Sequence, residues 1–365
     1  MAGEGLEASA VAAAPPAPVT YPFTFTGRAG EYFRIWIVNL ALSVVTFGIF
    51  SAWAKVRQQR WFYGNTWVAD APFEYLAPPL AVLKGRVIAV AILAIYVLVS
   101  QFLPVAEGPL ILLLLLATPW LILGGLRFRA RYSAWRTINF SFDNDVYDAG
   151  RAYLLYPMVL GPTLGLAFPW VRRHQASFTV EGHLLGPDRL ELTASTGDFY
   201  RAYARVALLT LGLAGVLGLL LAGLAGVATA LLGGFFQDLG EEQRDIVIGI
   251  GTLVVAYLFF VAFSVIATAR VTNLTYNPVR VAGHSFRSTL RSRDLLALYL
   301  TNTLAVLLSL GLLIPWAQVR MARYRASRTV LVSERSPLEV RARHRAGEAA
   351  TGAEVADVMD VDLSL

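Results

Sequence analysis

Long apolar runs alternate with short charged segments along this chain. Four runs contain no charged residue and have roughly the 20 residues with which an α-helix crosses a bilayer. We predict that they form two membrane-spanning hairpins, residues 87–105 with 110–126 and residues 206–236 with 246–268.

Each predicted hairpin has a short link between its two helices. The links, PVAEGP at 104–109 and QDLGEEQRD at 237–245, contain more acidic than basic residues. Because Lys and Arg are retained in cytoplasmic loops, we predict that both links are translocated.

Three further apolar segments, residues 32–53, 153–170 and 295–316, share a motif and are called the Gly/Trp segments below. They contain TFGIFSAWAKVRQQR, TLGLAFPWVRRHQAS and SLGLLIPWAQVRMAR, in which Thr or Ser lies two residues before a Gly and Trp lies five residues after it. The candidate motif residues are Asn39, Gly48, Trp53, Arg57, Arg60, Gly165, Pro169, Trp170, Asn302, Gly311, Pro315, Trp316, Arg320 and Arg323.

Basic residues at both ends of the Gly/Trp segments leave two topologies open. If all three segments cross, the chain makes seven crossings and places residues such as Arg172 and Arg189 outside, against the positive-inside rule. If each segment enters the membrane and returns, or lies along its surface, every basic cluster is cytoplasmic. The charge pattern favours the second hypothesis, and each motif Gly supplies a break whose backbone must be buried in protein.

The motif itself has a physical interpretation at the membrane surface. Trp is favoured at the headgroup level, and the Lys and Arg residues beyond it can meet anionic phosphates. Pro169 and Pro315 disfavour helical conformation in the preceding residue, so we expect a helix to end there and the chain to leave the membrane. The arginines then serve either as an ordinary membrane anchor or as a site for lipid headgroups or another anionic ligand.

Two amides and a row of small residues lie inside apolar segments. Asn39 and Asn302 each precede their motif Gly by nine residues, and we expect them to bond a neighbouring helix; Tyr156 is the counterpart in the second segment. Small residues at every fourth position predict a helix-packing ridge, with a conduit lining as the alternative. The ridge comprises Ala214, Gly218, Ala222, Gly226, Ala230 and Gly234.

Short stretches of alternating polarity predict a small cytoplasmic β layer beneath the helices. They are PFTFTG at 22–27, INFSFD at 138–143, ASFTV at 176–180, RLELTA at 189–194 and RTVLVS at 328–333. The fold class predicted is therefore a membrane all-α polytopic bundle with internal repeats and short β segments. The predicted units are a disordered lead-in (1–20), repeat one (21–135), repeat two (136–270), a partial repeat three (271–335) and a disordered acidic tail (336–365).

Composition supports a membrane protein and narrows its chemistry. Of the 365 residues, 56% are hydrophobic and 15% charged, against about 25% charged in soluble domains. The net charge of +6 is explained by positive-inside topology, and no nucleic-acid-binding motif accompanies it. Cysteine is absent, the four histidines lack metal-ligand spacing, and the predicted spans carry no charged residue typical of pumps. We expect no enzyme, cofactor, metal site or energised transporter.

The residues also resemble a known family. YFRIWIVNLALSVVTFGIFSAWAKVRQQRWFYGNT and TNTLAVLLSLGLLIPWAQVRMARYRA, with FTFTG, RYSAW and TYNPVRVAGHSFRSTL, resemble the YjgN family of bacterial inner-membrane proteins, whose function is unknown. The resemblance extends over about residues 22–333 and is weakest in the second Gly/Trp segment, which has Val171 and His174 in place of Ala and Arg. It implies a multi-pass inner-membrane protein and supplies no catalytic residues.

Two functions remain in competition. The first is a non-enzymatic membrane protein that binds or passively transports a lipid or small solute, with anionic headgroups as partners of the cytoplasmic arginines. The alternative is a membrane scaffold or envelope-maintenance factor that acts through protein partners. In both, the C-terminus is predicted to be cytoplasmic.

Overall fold

A computed structural model describes residues 18–238, 240–281 and 283–333 of the chain. Nearly all of the predicted lead-in (1–20) and the whole predicted tail (336–365) lie outside these ranges, although Val19 and Thr20 belong to the first strand. Many side chains between 217 and 258 also lie outside the described part.

The described chain is mostly helical. Its helices are α1 (Ala29–Val45), α2 (Ser51–Gly64), α3 (Pro79–Phe102), α4 (Pro104–Arg131), α5 (Val146–Gly150), a π-helical stretch (Arg151–Leu155), α6 (Tyr156–Met158), α7 (Phe168–Glu181), α8 (Thr196–Asp238), α9 (Glu241–Tyr276), α10 (Ser292–Leu308) and α11 (Ile314–Ser327). Its strands are β1 (Val19–Pro22), β2 (Thr24–Phe25), β3 (Thr66–Val68), β4 (Ala71–Tyr75), β5 (Ser133–Trp135), β6 (Ile138–Phe142), β7 (His183–Leu185), β8 (Asp188–Arg189), β9 (Glu191–Leu192), β10 (Val279–Val281), β11 (His284–Ser288) and β12 (Thr329–Ser333).

These strands form a closed antiparallel ring. One sheet has the order β1-β12-β11-β10-β9 and the other runs from β2 to β8 in chain order. Only Phe23 separates β1 from β2, and only Leu190 separates β8 from β9, so each pair is one bent strand shared by both sheets. Backbone N–H groups of Phe23 and Leu190 continue the ladders, donating to Thr329 O at 3.1 Å and His183 O at 2.9 Å. We call this assembly the β ring.

Apolar side chains from strands all around the ring fill its interior. Trp135, Ile138 and Leu185 come from one sheet, and Val281 and Leu331 from the other; all five are at least 94% buried. Burial of this much apolar surface stabilises an assembly whose strands have only two to five residues each. The predicted β layer is thus a packed core and not a set of isolated segments.

Helical hairpins connect neighbouring strands of the ring. The described chain has five: α1–α2 joins β2 to β3, α3–α4 joins β4 to β5, α5–α7 joins β6 to β7, α8–α9 joins β9 to β10, and α10–α11 joins β11 to β12. Each pair of strands is antiparallel and hydrogen-bonded. The end of one strand and the start of its partner therefore lie at the same edge. All five hairpins leave one edge of the β ring and return to it.

Each Gly/Trp segment is such a hairpin, with the turn at the motif Gly. The three glycines have φ of +88°, +82° and +91°, a region that side chains other than glycine's rarely adopt. Each donates its N–H to the carbonyl five residues earlier, which is the long bond of a Schellman helix end. These bonds join Gly48 to Ser43 O, Gly165 to Leu160 O and Gly311 to Val306 O, at 2.7 to 2.8 Å.

The recurring Thr or Ser closes the same turns. Thr46 Oγ1 accepts the N–H of Phe50 at 2.9 Å, and Ser309 Oγ accepts that of Leu313 at 3.0 Å. Thr163 Oγ1 accepts the N–H of the residue four positions later at 3.3 Å. The hydroxyl thus satisfies a backbone donor at the start of the returning helix, where no helical carbonyl is available. The motif Thr or Ser therefore has a role in the backbone.

Replacing Gly48 with Ala tests this turn. A Cβ at Gly48 would meet no atom within 4 Å, so the effect isolates backbone strain, which costs about 1–2 kcal/mol for a left-handed residue. Gly124→Ala is the matched control, because Gly124 lies inside α4 in open space and Ala is favoured there by about 1 kcal/mol. In mixed micelles, we expect the free energy of unfolding to fall for Gly48→Ala and to rise for Gly124→Ala. Equal stability of both variants would contradict a left-handed turn at Gly48.

Three sequence-based expectations about local structure are wrong. Pro169 and Pro315 are the second residues of α7 and α11 instead of following the end of a helix, because proline is accommodated in the first helical turn. The link PVAEGP is helical: only Leu103 separates α3 from α4, and Pro104 opens α4. ASFTV at 176–180 lies in α7 and is not a strand.

The predicted spans are only partly matched. Helical stretches long and apolar enough to cross a membrane are Pro79–Phe102, Pro104–Arg131 and Gly249–Tyr276 within the described residues. They contain or overlap three of the four predicted spans. The fourth, 206–236, lies in α8, where most side chains beyond position 217 are outside the described part, and it stays a prediction.

Candidate ligand cavity

The motif residues meet inside the third Gly/Trp hairpin. Asn302 is buried in α10, and its Nδ2 donates to Ala317 O on α11 at 3.4 Å. Arg320 Nη1 donates to Asn302 Oδ1 at 3.0 Å, while the guanidinium lies 5.2 Å from the Trp316 ring centroid. Asn, Trp and Arg therefore join the two helices of this hairpin.

The other two hairpins use the equivalent positions differently. Asn39 Nδ2 donates to Ala54 O at 3.5 Å, but its Oδ1 accepts no hydrogen bond from any described residue, and Arg57 is exposed. In the second hairpin, the Tyr156 ring lies 4.9 Å from the rings of both Trp170 and His174. The polar residue before the Gly packs against the returning helix in every case.

Two further motif arginines bind backbone. Arg60 Nη2 donates to Ala77 O at 3.2 Å, and Arg323 Nη2 donates to Gly27 O at 3.1 Å. Trp53 stacks on Phe50, with ring centroids 6.2 Å apart, in the first turn of α2. Most of the motif therefore maintains the hairpins, and it does not form one common ligand site.

The predicted packing ridge is only partly visible. Ala214 is half-buried and Gly218 exposed on α8, which packs against α7 and α9. The side chains of the remaining ridge positions, Ala222, Gly226, Ala230 and Gly234, lie outside the described residues.

A cavity of about 960 Å³, not predicted from the sequence, lies over the core of the β ring between α7, α9 and α11. We call it the central cavity. Its floor consists of Phe23, Phe73, Leu190 and Phe286, which also pack against the core of the ring. Since these four side chains come from separate strands around the ring, the cavity lies over the middle of the β ring.

The walls of the central cavity are polar on the sides formed by helices. α7 contributes Arg172, Gln175 and Thr179, and α11 contributes Arg325. α9 contributes hydroxyl groups at successive helical turns, from Thr268, Thr272 and Thr275. This spacing of three and four residues is the signal by which the polar face of α9 could have been found in the sequence.

The lining of the central cavity has positive charge and, among its described residues, no Asp or Glu. Arg172 Nη1 donates to Gln175 Oε1 at 2.9 Å. The Arg325 side chain forms no hydrogen bond or ion pair with another described residue. Two guanidinium groups without a carboxylate beside them suit an anionic ligand.

His183 lines the cavity without adding charge. Burial lowers the pKa of its imidazole; the Thr179 carbonyl, 2.5 Å from Nδ1, raises that pKa in part, and Arg129 lowers it further. A pKa below the usual 6.5 leaves the ring neutral at pH 7. The positive charge of the cavity therefore comes from its arginines.

The rim of the cavity is held by one amide. Asn273 Oδ1 accepts from Ser288 Oγ at 2.7 Å and from Leu290 N at 3.1 Å, and its Nδ2 donates to Leu290 O at 2.9 Å. Ser288 and Leu290 are both lining residues. These bonds fix the segment between β11 and α10 against α9, so the rim is ordered before any ligand binds.

Comparison with known proteins places the chain among membrane proteins. Inner membrane protein YjgN of Salmonella typhimurium is 26% identical over 147 residues, covering 38% of this chain and 36% of the relative. Inner membrane protein YjgN of Escherichia coli K12 is 27% identical over 155 residues, covering 41% and 38%. The aligned region thus spans little more than a third of these relatives. No solved structure matches the chain.

The family is established by a match over most of the chain. The family described as bacterial protein of unknown function (DUF898) matches residues 20–358, which include all of the β ring except Val19 and all the helical hairpins described above. The relatives are inner membrane proteins, and the chain has helices apolar enough to cross a bilayer. The chain therefore belongs to the DUF898 family of bacterial proteins of unknown function.

Proposed function

We propose that this protein binds an anionic amphiphile, a membrane lipid or a lipid-like solute, in its central cavity and does so without chemical turnover. The observation that carries the proposal is the lining itself, with two arginines and a row of hydroxyls above an aromatic floor. Guanidinium groups bind phosphate by paired hydrogen bonds, while the apolar floor suits a hydrocarbon group. The volume of about 960 Å³ is at the upper end of small-molecule sites.

The helices are proposed to divide into spanning and half-spanning hairpins. α4 has 28 residues and is about 42 Å long, which exceeds the hydrocarbon thickness of about 30 Å. In α1, the apolar part between Arg34 and Val45 measures only about 16 Å at 1.5 Å per residue. We infer that the Gly/Trp hairpins enter the bilayer to about half its depth and return, because both their ends join the β ring.

The tips of these hairpins support insertion. Phe47, Leu164 and Leu310 precede the motif glycines and are 98%, 92% and 94% exposed. Each has a positive φ near 50°, which costs an ordinary residue about 1–3 kcal/mol. In water a strained, exposed apolar tip has no advantage, whereas in lipid its apolar surface is removed from water.

An internal repeat accounts for the order of elements. A strand, a Gly/Trp hairpin, two strands, a long hairpin and a strand follow one another twice, in residues 24–135 and 138–281. Residues 284–333 provide the strand, the Gly/Trp hairpin and the next strand of a third unit. The boundary that the sequence predicts between repeats two and three, at residue 270, falls inside α9. We therefore place the end of the second unit after β10.

Orientation follows from charge. Arg28, Arg151 and Arg291 lie near the starts of the three Gly/Trp hairpins, next to the β ring, whereas Glu241 and Glu242 begin α9 at the far end of the α8–α9 hairpin. By the positive-inside rule, the β ring is cytoplasmic. β12 belongs to the ring, so the chain that follows it also starts on the cytoplasmic side.

Lipid selectivity of the purified protein tests the proposal. The full chain would be reconstituted in nanodiscs of phosphatidylcholine with 5–30% phosphatidylglycerol, then extracted mildly and examined by native mass spectrometry. We expect retained phosphatidylglycerol well above its share of the bilayer, because the cavity is cationic. Retention in proportion to the bilayer composition, or no retained lipid from folded protein, would refute the proposal.

A further inference from the structure

A second cavity of about 570 Å³ lies between α2 and the α10–α11 hairpin. We call it the side groove. On α2 it is lined by Gln58 and Phe62. On α10 and α11 its lining runs from Val306, Leu307 and Ile314 near the turn down to Arg325 near the β ring. From Ile314 to Arg325 the helix rises about 16 Å, so the groove follows most of the length of the hairpin.

Polarity changes along the side groove. Its end near the hairpin turn is aliphatic, with Val306, Leu307 and Ile314. Its middle and lower parts contain amides and one cation, from Gln58, Gln318 and Arg325. No Asp or Glu is present among its described lining residues. An amphiphile with an anionic head matches this order, with its hydrocarbon toward the turn and its head toward the β ring.

The side groove and the central cavity share a boundary. Ala322 and Arg325 line both of them. Ala322 has only a methyl side chain, and the Arg325 guanidinium is bound to no other described residue. The boundary is therefore formed by one small residue and one long side chain that can change rotamer.

Building on the proposed function, we propose that the side groove is the lateral entrance through which an anionic phospholipid passes from the bilayer into the central cavity. One acyl chain occupies the aliphatic end, and the Arg325 guanidinium binds the phosphate at the boundary. Because the α10–α11 hairpin is half-spanning, the groove faces lipid and needs no aqueous route. The same arginine then serves the groove and the cavity in turn.

The walls of the side groove are held by specific bonds. Tyr32 Oη donates to Gln318 Oε1 at 2.9 Å, which ties α11 to α1. Asn302 bonds both Ala317 and Arg320, which ties α10 to α11. A bulky side chain placed in the groove is therefore expected to fill it, since α11 cannot separate from α10 or from α1 without breaking these bonds.

The test compares two tryptophans on one helix. Val306→Trp fills the side groove, whereas Leu304→Trp adds the same bulk at an exposed position of α10 that lines neither cavity. The folded, full-length variants in phosphatidylcholine nanodiscs would be mixed with vesicles containing fluorescent phosphatidylglycerol, and the rate and final extent of uptake recorded. We expect Val306→Trp to slow uptake at least tenfold with little change in final occupancy, and Leu304→Trp to match the unmodified chain.

The outcomes separate the two proposals. If the unmodified chain acquires no phosphatidylglycerol, the proposed function fails. If it does acquire lipid and Val306→Trp acquires it equally fast, or loses final occupancy without slowing, the entrance is refuted and binding stands. Thr303→Trp, at another lining position of α10, provides the same measurement should Val306→Trp not fold. Soluble glycerol phosphate, added as a competitor, should leave the uptake rate unchanged, because the groove requires an acyl chain.

Discussion

The double substitution Arg172→Gln and Arg325→Gln is expected to lower the occupancy of the central cavity by phosphatidylglycerol about tenfold or more. A hydrogen bond to a charged group contributes about 1.5–3 kcal/mol, and 1.4 kcal/mol corresponds to a factor of ten in affinity. Gln keeps polarity and some hydrogen bonding but removes the charge. Native mass spectrometry after extraction from mixed nanodiscs gives the occupancy, and retention of phosphatidylcholine should change little.

A charge-matched control is available in the same chain. Arg189 pairs with Asp143 at 3.1 Å and Arg293 with Asp294 at 3.3 Å, and neither arginine lines the central cavity or the side groove. The double variant Arg189→Gln and Arg293→Gln changes the net charge of the chain by the same two units. If that control loses as much lipid as the cavity variant, bulk electrostatic attraction and not the central cavity explains the selectivity. Unchanged occupancy in the cavity variant would equally contradict the assignment.

The position of the turn in each Gly/Trp hairpin could be predicted from the sequence because it depends on local chemistry. A left-handed backbone needs Gly, and a hydroxyl two residues earlier closes the turn; both are short-range requirements that leave a visible pattern. The recurrence of TFG, TLG and SLG therefore reports backbone geometry. Each motif Trp lies in the first turn of the returning helix. The interpretation of Trp and Arg as an anchor at the membrane surface stays a prediction.

The β ring and the central cavity could not be predicted in the same way. Alternation marks β2, β6, β8, β9 and β12, but the three-residue strands β3, β5, β7 and β10 are too short to show it, and ASFTV alternates by chance within α7. The cavity lining brings together Phe23, Arg172, Thr272 and Arg325, which are separated by up to about 300 positions. Only ring closure, through the bent strands at Phe23 and Leu190, places them around one space.

Spanning and half-spanning topologies of the Gly/Trp segments predict different labelling of single introduced cysteines by an impermeant maleimide. The sequence contains no cysteine, so only the introduced residue can be labelled. Glu74 on β4 and Glu191 on β9 are exposed, and both belong to the β ring. If the Gly/Trp segments return to their side of origin, Glu74→Cys and Glu191→Cys are both protected from an impermeant maleimide in intact spheroplasts. Both should then be labelled in inverted vesicles.

Glu242→Cys provides the opposite reference, since Glu242 lies in the first turn of α9 at the far end of the α8–α9 hairpin. We expect it to be labelled in spheroplasts, with a large difference between the two preparations at all three positions. Seven crossings would instead put Glu74 and Glu191 on opposite sides of the membrane. Three crossings would lie between them, the predicted spans 87–105 and 110–126 and the second Gly/Trp segment. Antiparallel pairing around a closed ring requires both on one side. Labelling of the two positions in different preparations would therefore contradict the half-spanning topology and the ring closure on which the central cavity depends.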